Sequence, residues 1–418
     1  MQATTAEYFR NTDIGREAEA LVRTCVQCGQ CVPFCPTSRV LKDDWDSPRG
    51  RISLIRQMLE GRTPDSDPQL HLDRCLRCRS CEAMCPEGVR FGRLLDIARQ
   101  WVERTTPRPL KEKLTRRLLL AVVPHRRRFS ALLRMARAAR PLLPETLHSR
   151  VPEPRPAGVW PNRPHARTML VWQGCVQPAL APDINAAAAR VLNRFGIRLI
   201  PARAACCGAL SHHMAATEEA LASMRRNIDS CWPQLEGGAE AIVMTASGCG
   251  AQLREYGDLL GNDPRYRDKA RRFSELARDV GEIVAAELGR EENASRFCLP
   301  DSRAPVRVAF QSPCSLQHGL KLHGVVENLL KRAGFKPTIV AYPFLCCGAA
   351  GSYSLMQPQL AGAMRAVKLD TLLATRPKLI VTANIGCLAH LAEISPLPVR
   401  HWIELVDEAL AAGDTPHS

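Results

Sequence analysis

Two kinds of segment are missing from this chain of 418 residues. No apolar run approaches the roughly 18 residues that a membrane span needs, and the longest candidate is Leu118–Val123. The first twenty residues, MQATTAEYFRNTDIGREAEA, lack the apolar core of a secretory signal. We therefore expect a cytoplasmic protein whose cysteines are reduced and bind metal instead of forming a disulfide framework.

Nucleotide-binding motifs are also missing. The chain has no G-x-G-x-x-G after a predicted strand and no P-loop, so we expect no flavin or nucleotide site within this chain. The formal charge is +15, and thirteen Lys or Arg residues lie between Arg104 and Arg150. This basic segment favours contact with anionic lipid or an acidic protein face, or it is a solvated helical connector. Nucleic acid is not expected as a partner, because no helix-turn-helix, RNP or finger pattern accompanies the charge.

The chain does contain 18 cysteines, eight of them in two copies of C-x2-C-x2-C-x3-C-P, at Cys25–Pro36 and Cys75–Pro86. This spacing is typical of two [4Fe–4S] clusters, in which the fourth cysteine of each copy ligates the cluster of the other. Zinc sites use two separated C-x2-C pairs instead. The predicted ligands of the first cluster are Cys25, Cys28, Cys31 and Cys85. Those of the second cluster are Cys75, Cys78, Cys81 and Cys35.

Apolar residues at helical spacing follow each copy. The segment SPRGRISLIRQMLEG carries Ile52, Ile55 and Met58 on one face, with a stop at Gly61, and Leu94–Val102 repeats the pattern. The sequence thus predicts an α-helical ferredoxin-type domain. A Pro-rich stretch at Val151–Arg167 then indicates a linker.

The C-terminal part is duplicated. Cys175 and Cys314 are 139 residues apart, the two Cys-Cys-Gly triplets 140, and Cys249 and Cys387 138, and AIVMTASGCGAQL aligns with LIVTANIGCLAHL. Each half alternates strands with helices, which predicts a parallel sheet in an α/β layer. The predicted strands of the two halves are TMLVWQG, IRLIPA and AIVMTA, then VRVAFQ, TIVAYPF and KLIVTA.

The cysteines of each half follow strands, so they are expected at one sheet edge, where open α/β folds bind ligands. Gly208 and Gly348 fit a tight turn where a side chain would crowd a ligand. Burial as small apolar residues is the alternative role, and we assign it to Cys231 and Cys298. The candidate cofactor-binding residues are Cys175, Cys206, Cys207, Cys249, Cys314, Cys346, Cys347 and Cys387.

This combination resembles the iron–sulfur subunits of the glycolate oxidase, anaerobic glycerol-3-phosphate dehydrogenase and heterodisulfide reductase group. SPRGRISLIRQMLEG, HLDRCLRCRSCEAMCPEGVRF and IGCLAHL most resemble glycolate oxidase iron–sulfur subunits. The predicted fold is a multidomain α+β chain: a helical ferredoxin domain (1–105), a basic and Pro-rich linker (106–167) and two duplicated α/β cysteine-rich CCG domains (168–300 and 301–418). The resemblance implies two [4Fe–4S] clusters, with additional clusters possible in the CCG domains.

The resemblance also implies a role. FAD-binding partner subunits oxidise glycolate, and this chain relays the electrons to a quinone or another membrane acceptor. It would lie at the cytoplasmic face of the inner membrane as a peripheral protein. An alternative is the corresponding subunit of a D-lactate or glycerol-3-phosphate dehydrogenase, and another is a heterodisulfide reductase-like thiol–disulfide catalyst. Gln252 and His390 stand where those reductases have a fifth cysteine, which argues against the five-cysteine chemistry.

Overall fold

The computed structural model describes residues 12–142, 144, 151–297 and 305–413. The chain forms two compact units. The first consists of Met1–Leu118, Leu210–Thr217 and Phe344–Lys368, and the second of Leu119–Ala209, Glu218–Pro343 and Leu369–Ser418. The N-terminal cysteine motifs thus share a unit with two short segments from the C-terminal half.

Helices account for most of the regular structure. In chain order they are Asp13–Arg23 (α1), Pro36–Leu41 (α2), Pro48–Leu59 (α3), Pro68–Asp73 (α4), Ser80–Ala83 (α5), Phe91–Thr105 (α6), Leu110–Val122 (α7), Arg126–Ala139 (α8), Gln177–Leu180 (α9), Asp183–Arg194 (α10), Ala209–His213 (α11), Thr217–Glu236 (α12), Ser247–Arg254 (α13), Tyr256–Leu259 (α14), Arg267–Leu276 (α15), Val280–Leu288 (α16), Val325–Arg332 (α17), Tyr353–Met356 (α18), Pro358–Leu373 (α19), Ile385–Ala392 (α20) and Trp402–Gly413 (α21).

The strands belong to two four-stranded sheets. They are Arg167–Trp172 (β1), Ile197–Pro201 (β2), Ile242–Met244 (β3), Ala277–Asp279 (β4), Val306–Gln311 (β5), Phe335–Pro337 (β6), Leu379–Thr382 (β7) and Val399–His401 (β8). The orders are β2-β1-β3-β4 and β6-β5-β7-β8, and all pairs are parallel. The predicted duplicated parallel-sheet architecture is confirmed.

The first unit is helical, as predicted. Helix α3 begins where the Ser47 side chain accepts a hydrogen bond from the backbone N–H of Gly50, with Pro48 at the first helical position. Ile52 and Ile55 of α3 lie in a buried apolar cluster with Leu94 and other residues of α6. Four cysteines of the motifs pack against this cluster, so the apolar core positions both cysteine loops. These are Cys25, Cys75, Cys81 and Cys85.

One predicted strand is wrong. TIVAYPF was expected to form the strand that precedes the second Cys-Cys pair, but the strand β6 lies just before it, at Phe335–Pro337. This edge strand pairs with only Val306–Val308 of β5, and Ile339 is 97% exposed. The apolar residues of TIVAYPF therefore do not indicate a buried strand, because the edge strand ends at Pro337, before this segment begins.

The two sheets of the second unit meet through the segments that follow their strands. The Ser247 and Ser315 hydroxyl oxygens are 2.8 Å apart. The backbone N–H of Gly248 donates to Asn384 Oδ1 at 3.2 Å, and His401 Nε2 lies 2.8 Å from the carbonyl oxygen of Thr245. Burial lowers the pKa of His401 to about 4, so this ring is neutral and donates to that carbonyl. Segments at equivalent places in the two sheets therefore contact each other.

The basic segment forms the helices α7 and α8. In the part of the chain that the structure describes, no helix combines the length and the apolar character that a membrane crossing needs. Cys231 is fully buried in the core of the first sheet, in line with a packing role, whereas Cys298 lies outside the described residues.

Candidate metal centres

The two cysteine loops share one backbone course. Residues Gln27 and Gly29 have positive φ angles of 58° and 79°, and the corresponding Arg77 and Arg79 have 53° and 61°. Left-handed residues that alternate along a loop turn backbone N–H groups toward a common centre and make a concavity that suits an anion such as an iron–sulfur cluster. Each loop thus has a backbone course that would suit such a cluster.

The fourth cysteines begin different structures. Cys35 stands at the N-terminus of α2, where Pro36 occupies the first helical position. Pro86 leads into a turn with Gly88 at a φ of 65°, and α6 starts only at Phe91. The chain therefore enters a helix directly after the fourth cysteine in the first copy but not in the second.

One cavity of the first unit is bordered by Cys25, Cys28, Cys31 and Cys85. Three of these cysteines come from the first loop and one from the second copy. Burial, together with repulsion from the other three thiolates, raises the pKa of Cys31 to about 11, which places all four sulfurs in each other's field. The apolar part of the cavity wall consists of Val26, Pro48, Ile52, Pro86, Val89 and Phe91.

A second cavity is bordered by Cys35, Cys75, Cys78 and Cys81. Burial and the neighbouring thiolates of Cys78, Cys75 and Cys35 raise the pKa of Cys81 well above its usual value. Cys81 borders the first cavity as well, so the two cavities are adjacent. Adjacent redox centres are what a chain needs to pass electrons onward.

A buried arginine stands beside the second cavity. Arg51 is 1% exposed, and its Nη1 lies 3.8 Å from the Cys35 sulfur. Its Nη2 donates to Asp46 at 3.0 Å, and its Nε donates to the carbonyl oxygen of His71 at 2.7 Å. Sequence reasoning missed this residue. The sequence did contain a signal for it. Leu54, Ile55 and Met58 follow Arg51 at helical spacing, so Arg51 lies on the apolar face of α3.

Both cavities fit [4Fe–4S] clusters by the chemistry of their donors. Each offers four cysteine sulfurs, the donor set that such clusters require, inside largely apolar walls. Burial, and after it the neighbouring thiolates, raises the pKa of Cys31 and of Cys81, and a positively charged iron core would favour the thiolate forms. When bound, such clusters exchange single electrons.

A third group of cysteines lies in the second unit, at the edge of the first sheet. Cys175 follows β1, Cys206 and Cys207 follow β2, and Cys249 lies on α13 after β3. Hydrogen bonds from the thiols of Cys175 and Cys207 hold the pKa of Cys206 well below its usual value. The same bond, together with burial and the nearby Cys249, raises the pKa of Cys175. The structure therefore brings these four predicted residues together as four mutually interacting sulfurs.

Buried polar groups hold the Cys-Cys pair in place. Asn227 Nδ2 donates to the carbonyl oxygen of Cys206 at 2.7 Å, and the Tyr256 hydroxyl donates to that of Cys207 at 2.9 Å. Asn227 also donates to the Tyr256 hydroxyl oxygen at 3.1 Å. Both side chains are at most 1% exposed. Because water cannot reach the two carbonyl groups from this side, these hydrogen bonds satisfy them.

The glycine after each Cys-Cys pair is required by the backbone. Gly208 and Gly348 have φ angles of 81° and 90°. A Cβ would lie 3.3 Å from the carbonyl oxygen of Ala220 at the first position and 2.6 Å from that of Ala361 at the second. The sequence argument expected crowding against a ligand. The crowding group is instead the backbone of a later helix, α12 at Gly208 and α19 at Gly348.

The four predicted cysteines of the second repeat do not all belong to one unit, unlike those of the first repeat. Cys314 and Cys387 belong to the second unit, where Asn384 Nδ2 lies 3.6 Å from the Cys387 sulfur. Cys346 and Cys347 belong to the first unit, and the backbone N–H of Gly348 lies 3.4 Å from the Cys346 sulfur. Cys346, Cys347 and Cys387 are buried, whereas Cys314 is half-buried.

The positions of the absent fifth cysteine lie one helical turn beyond the last cysteine of each repeat. Gln252 follows Cys249 on α13 and is buried. His390 follows Cys387 on α20 and is half-buried. Residues three apart on a helix share a face, so these side chains extend from the same helix faces as Cys249 and Cys387.

Comparisons with known proteins agree with these features. A family described as a 4Fe-4S dicluster domain matches residues 21–89, and one described as a cysteine-rich domain matches residues 169–254 and 308–392. The glycolate oxidase iron-sulfur subunit of Escherichia coli (strain K12) is 48% identical over 98% of this chain and 99% of its own length. The probable glycolate oxidase iron-sulfur subunit of Bacillus subtilis (strain 168) is 29% identical over 89% of each chain. Lactate utilization protein A of Exiguobacterium sp. is 21% identical over 56% of this chain and 95% of its own length.

Proposed function

Since this chain belongs to the family of glycolate oxidase iron–sulfur subunits, we propose that it relays electrons within a flavin-dependent complex that oxidises glycolate to glyoxylate. FAD-binding partner subunits would remove the electrons from glycolate. This chain would pass them through its clusters to a quinone or another membrane acceptor. The observation that carries the proposal is the pair of adjacent cavities, each bordered by three cysteines of one motif and the fourth cysteine of the other, with Cys81 bordering both.

The proposed ligation is crossed. Cys25, Cys28 and Cys31 would hold one cluster together with Cys85, which comes from the second motif. Cys75, Cys78 and Cys81 would hold the other together with Cys35. The grouping of thiols around each cavity supports this assignment. Besides burial, the pKa of Cys31 is raised by thiolates of the first group and that of Cys81 by thiolates of the second.

A further cluster is proposed for the first cysteine-rich repeat, held by Cys175, Cys206, Cys207 and Cys249. Their hydrogen-bonded sulfurs at the end of three parallel strands support it. Cys314, Cys346, Cys347 and Cys387 hold the equivalent positions of the second repeat, and their cofactor-binding role stays a prediction from the sequence. His390 is not included among the proposed ligands, since a histidine on such a loop is more often hydrogen-bonded than metal-bound.

Contact with the cytoplasmic face of the inner membrane is proposed for α7. Leu110, Leu114 and Leu118 recur every fourth residue and are 82%, 66% and 62% exposed. Exposed basic residues at 111, 113 and 117 lie beside them. A row of leucines flanked by Lys and Arg is the pattern of a helix that lies in the interface of an anionic bilayer. In this arrangement the lipid would cover the three exposed leucines.

Iron and sulfide content, with EPR of the anaerobically purified chain, tests the cluster assignment. Two clusters predict about eight irons per chain, and occupied cysteine-rich repeats predict about twelve or more. Iron-free protein, purified anaerobically under conditions that preserve clusters, would contradict the whole proposal. The relay is tested by dye reduction in the complex reassembled with its flavin subunits.

The substrate is tested in the same assembly. A relative named for lactate utilization matches half of this chain, which makes D-lactate the second candidate substrate. Glycolate and lactate are therefore compared as reductants at equal concentration. Faster reduction by lactate would reassign the substrate, and turnover of a disulfide by this chain without flavin subunits would reassign it as a thiol–disulfide catalyst.

A further inference from the structure

A cavity of 330 Å³ lies within the first unit, next to the second cysteine loop. Its volume falls in the range of small-molecule sites, about 300–1,000 Å³. Cys75, Leu76 and Arg77 border this cavity and also border the adjoining cavity that contains Cys78 and Cys81. The two spaces are therefore separated by the thickness of one loop, so a molecule in the larger space would lie beside the proposed second cluster.

The charges of the lining are balanced. Three arginines and three carboxylates border the cavity. They are Arg77, Arg99 and Arg116, and Asp67, Asp73 and Glu112. The basic groups are engaged: Arg77 Nη2 pairs with Asp96 at 2.5 Å, and Arg99 Nη2 donates to the carbonyl oxygen of Cys75 at 2.6 Å. A balanced lining favours an uncharged ligand over a carboxylate such as glycolate.

The remaining lining combines apolar surface with hydrogen-bond donors. Leu76, Met214 and Met356 supply apolar and adaptable contacts. Burial, with the nearby charge of Arg77, lowers the pKa of His213 well below its usual value, so its ring is neutral. Because Arg77 Nη1 can only donate and lies 3.4 Å from His213 Nε2, the other ring nitrogen carries the proton and is a donor.

The helix α7 connects this cavity with the proposed lipid contact. Glu112 and Arg116 of α7 border the cavity, whereas Leu114 is exposed. Two residues along an α-helix are about 200° apart, so the exposed leucines lie on the face opposite to the cavity. A membrane against those leucines would be about one helix diameter, ~10 Å, from the cavity.

From these observations we infer that the cavity is the reduction site for a quinone, a lipid-soluble and uncharged carrier whose carbonyl oxygens accept hydrogen bonds. The inference rests on the proposed relay function and identifies its acceptor. The 2-hydroxy acid loses two electrons and two protons at the flavin partner. The quinone takes up two electrons, delivered singly, and two protons from water, so that both C=O groups become C–OH. His213 is the positioning residue for the ring, because its protonated ring nitrogen can donate to a quinone carbonyl oxygen.

Direct binding tests the site without relying on turnover. The anaerobic holo-chain is titrated with a decyl-substituted p-benzoquinone by equilibrium dialysis. Met356→Trp fills the cavity and is expected to weaken binding at least tenfold, and His213→Gln at least threefold. The matched control is Leu355→Trp, because Leu355 neighbours Met356 on α18 but is 61% exposed. Iron content is measured for every variant, and His213→Gln serves as the test where Met356→Trp fails to retain iron.

Each result decides the question. Unchanged quinone affinity in both cavity variants would overturn the site, as would equal weakening in Leu355→Trp. Displacement of the quinone by millimolar glycolate or glyoxylate would show that the cavity binds carboxylates instead. Dye reduction by the wild-type complex is measured in parallel. If wild type reduces no dye, the relay proposal fails; if it does, a failed binding test refutes the quinone site alone.

Discussion

The guanidinium of Arg51 lies 3.8 Å from the sulfur of Cys35, and both groups are buried. Asp46 balances the charge of Arg51 at 3.0 Å, and Arg74 also pairs with Asp46. Among the described residues that border the cavity with Cys25, the one arginine is Arg49, which is exposed. The two proposed clusters therefore differ in their electrostatic surroundings, although their cysteine loops are alike.

Replacement of Arg51 by Met should lower the midpoint potential of the second cluster. A buried positive charge beside a ligand stabilises the more negative, reduced state, and its loss is expected to shift the potential by on the order of 60 mV, the one-electron equivalent of about 1.4 kcal/mol. Redox titration followed by EPR measures the shift. Arg49→Met on the same helix is the control, because Arg49 is exposed; an equal shift there would contradict the role of burial.

Serine substitutions test the crossed ligation. Cys85→Ser should reproduce the EPR spectrum of Cys28→Ser, because both remove a ligand of the first cluster. Cys35→Ser should instead match Cys78→Ser. Each variant is expected to lose about four irons. If Cys85→Ser resembled Cys78→Ser, each motif would hold its own cluster and the grouping around the cavities would not reflect ligation.

The two glycines that follow the Cys-Cys pairs should differ in their tolerance of alanine. Gly208→Ala places a Cβ 3.3 Å from a carbonyl oxygen and forces a left-handed alanine, at a cost of about 1–2 kcal/mol. Gly348→Ala brings its Cβ to 2.6 Å, so the helix must also move. Thermal unfolding of the holo-protein should show a lower midpoint for Gly348→Ala than for Gly208→Ala. Equal midpoints would mean that the helix after Gly348 yields easily.

Tyr256→Phe should destabilise the first cysteine-rich repeat. The change removes the hydroxyl that donates to the carbonyl oxygen of Cys207, and an unsatisfied buried acceptor costs about 1–3 kcal/mol. We expect a lower unfolding midpoint and reduced iron occupancy beyond the first eight irons. Tyr342→Phe is the control, since Tyr342 is 51% exposed and should change stability little. Unchanged iron content in Tyr256→Phe would show that the hydrogen bond to the Cys207 carbonyl is not needed to retain a cluster.

Leu114→Glu should release the chain from anionic vesicles. Exposing a carboxylate in place of a leucine at the bilayer interface is expected to weaken binding about tenfold, since a buried leucine side chain contributes roughly 1.5–3 kcal/mol. Sedimentation with vesicles that contain phosphatidylglycerol measures the change, and higher salt should weaken wild-type binding as well. Leu355→Glu is the exposed-leucine control on another helix. Binding that resists both salt and Leu114→Glu would place the membrane contact elsewhere.

Sequence spacing identified the cysteines and the repeat, because cluster loops and duplicated strand ends have short and fixed patterns. It also predicted the parallel sheets from the alternation of apolar segments. Local patterns were insufficient for TIVAYPF, where Ile339 is exposed because the edge strand ends before it. Arg51 was missed because a charged residue on an apolar face is read as solvated unless its buried partners, such as Asp46, are known.

The sequence also did not predict which chain segments make up the first unit. Leu210–Thr217 and Phe344–Lys368 join the N-terminal motifs through contacts between residues more than a hundred positions apart. Tyr353, for example, donates to the carbonyl oxygen of Arg74 at 3.0 Å. Single-sequence patterns describe neighbours along the chain, and they contain no signal for such pairs.

The interleaving of the two motifs around the cavities has a consequence for biosynthesis. Cys85 emerges from the ribosome 60 residues after Cys25 (85 − 25), which at elongation rates of about 5–20 residues per second means a delay of about 3–12 s. Under the proposed crossed ligation, a nascent chain that ends before Cys85 lacks the fourth ligand of the first cluster. Iron loading would then await the second motif, and the early cysteines would need protection from oxidation until it is made.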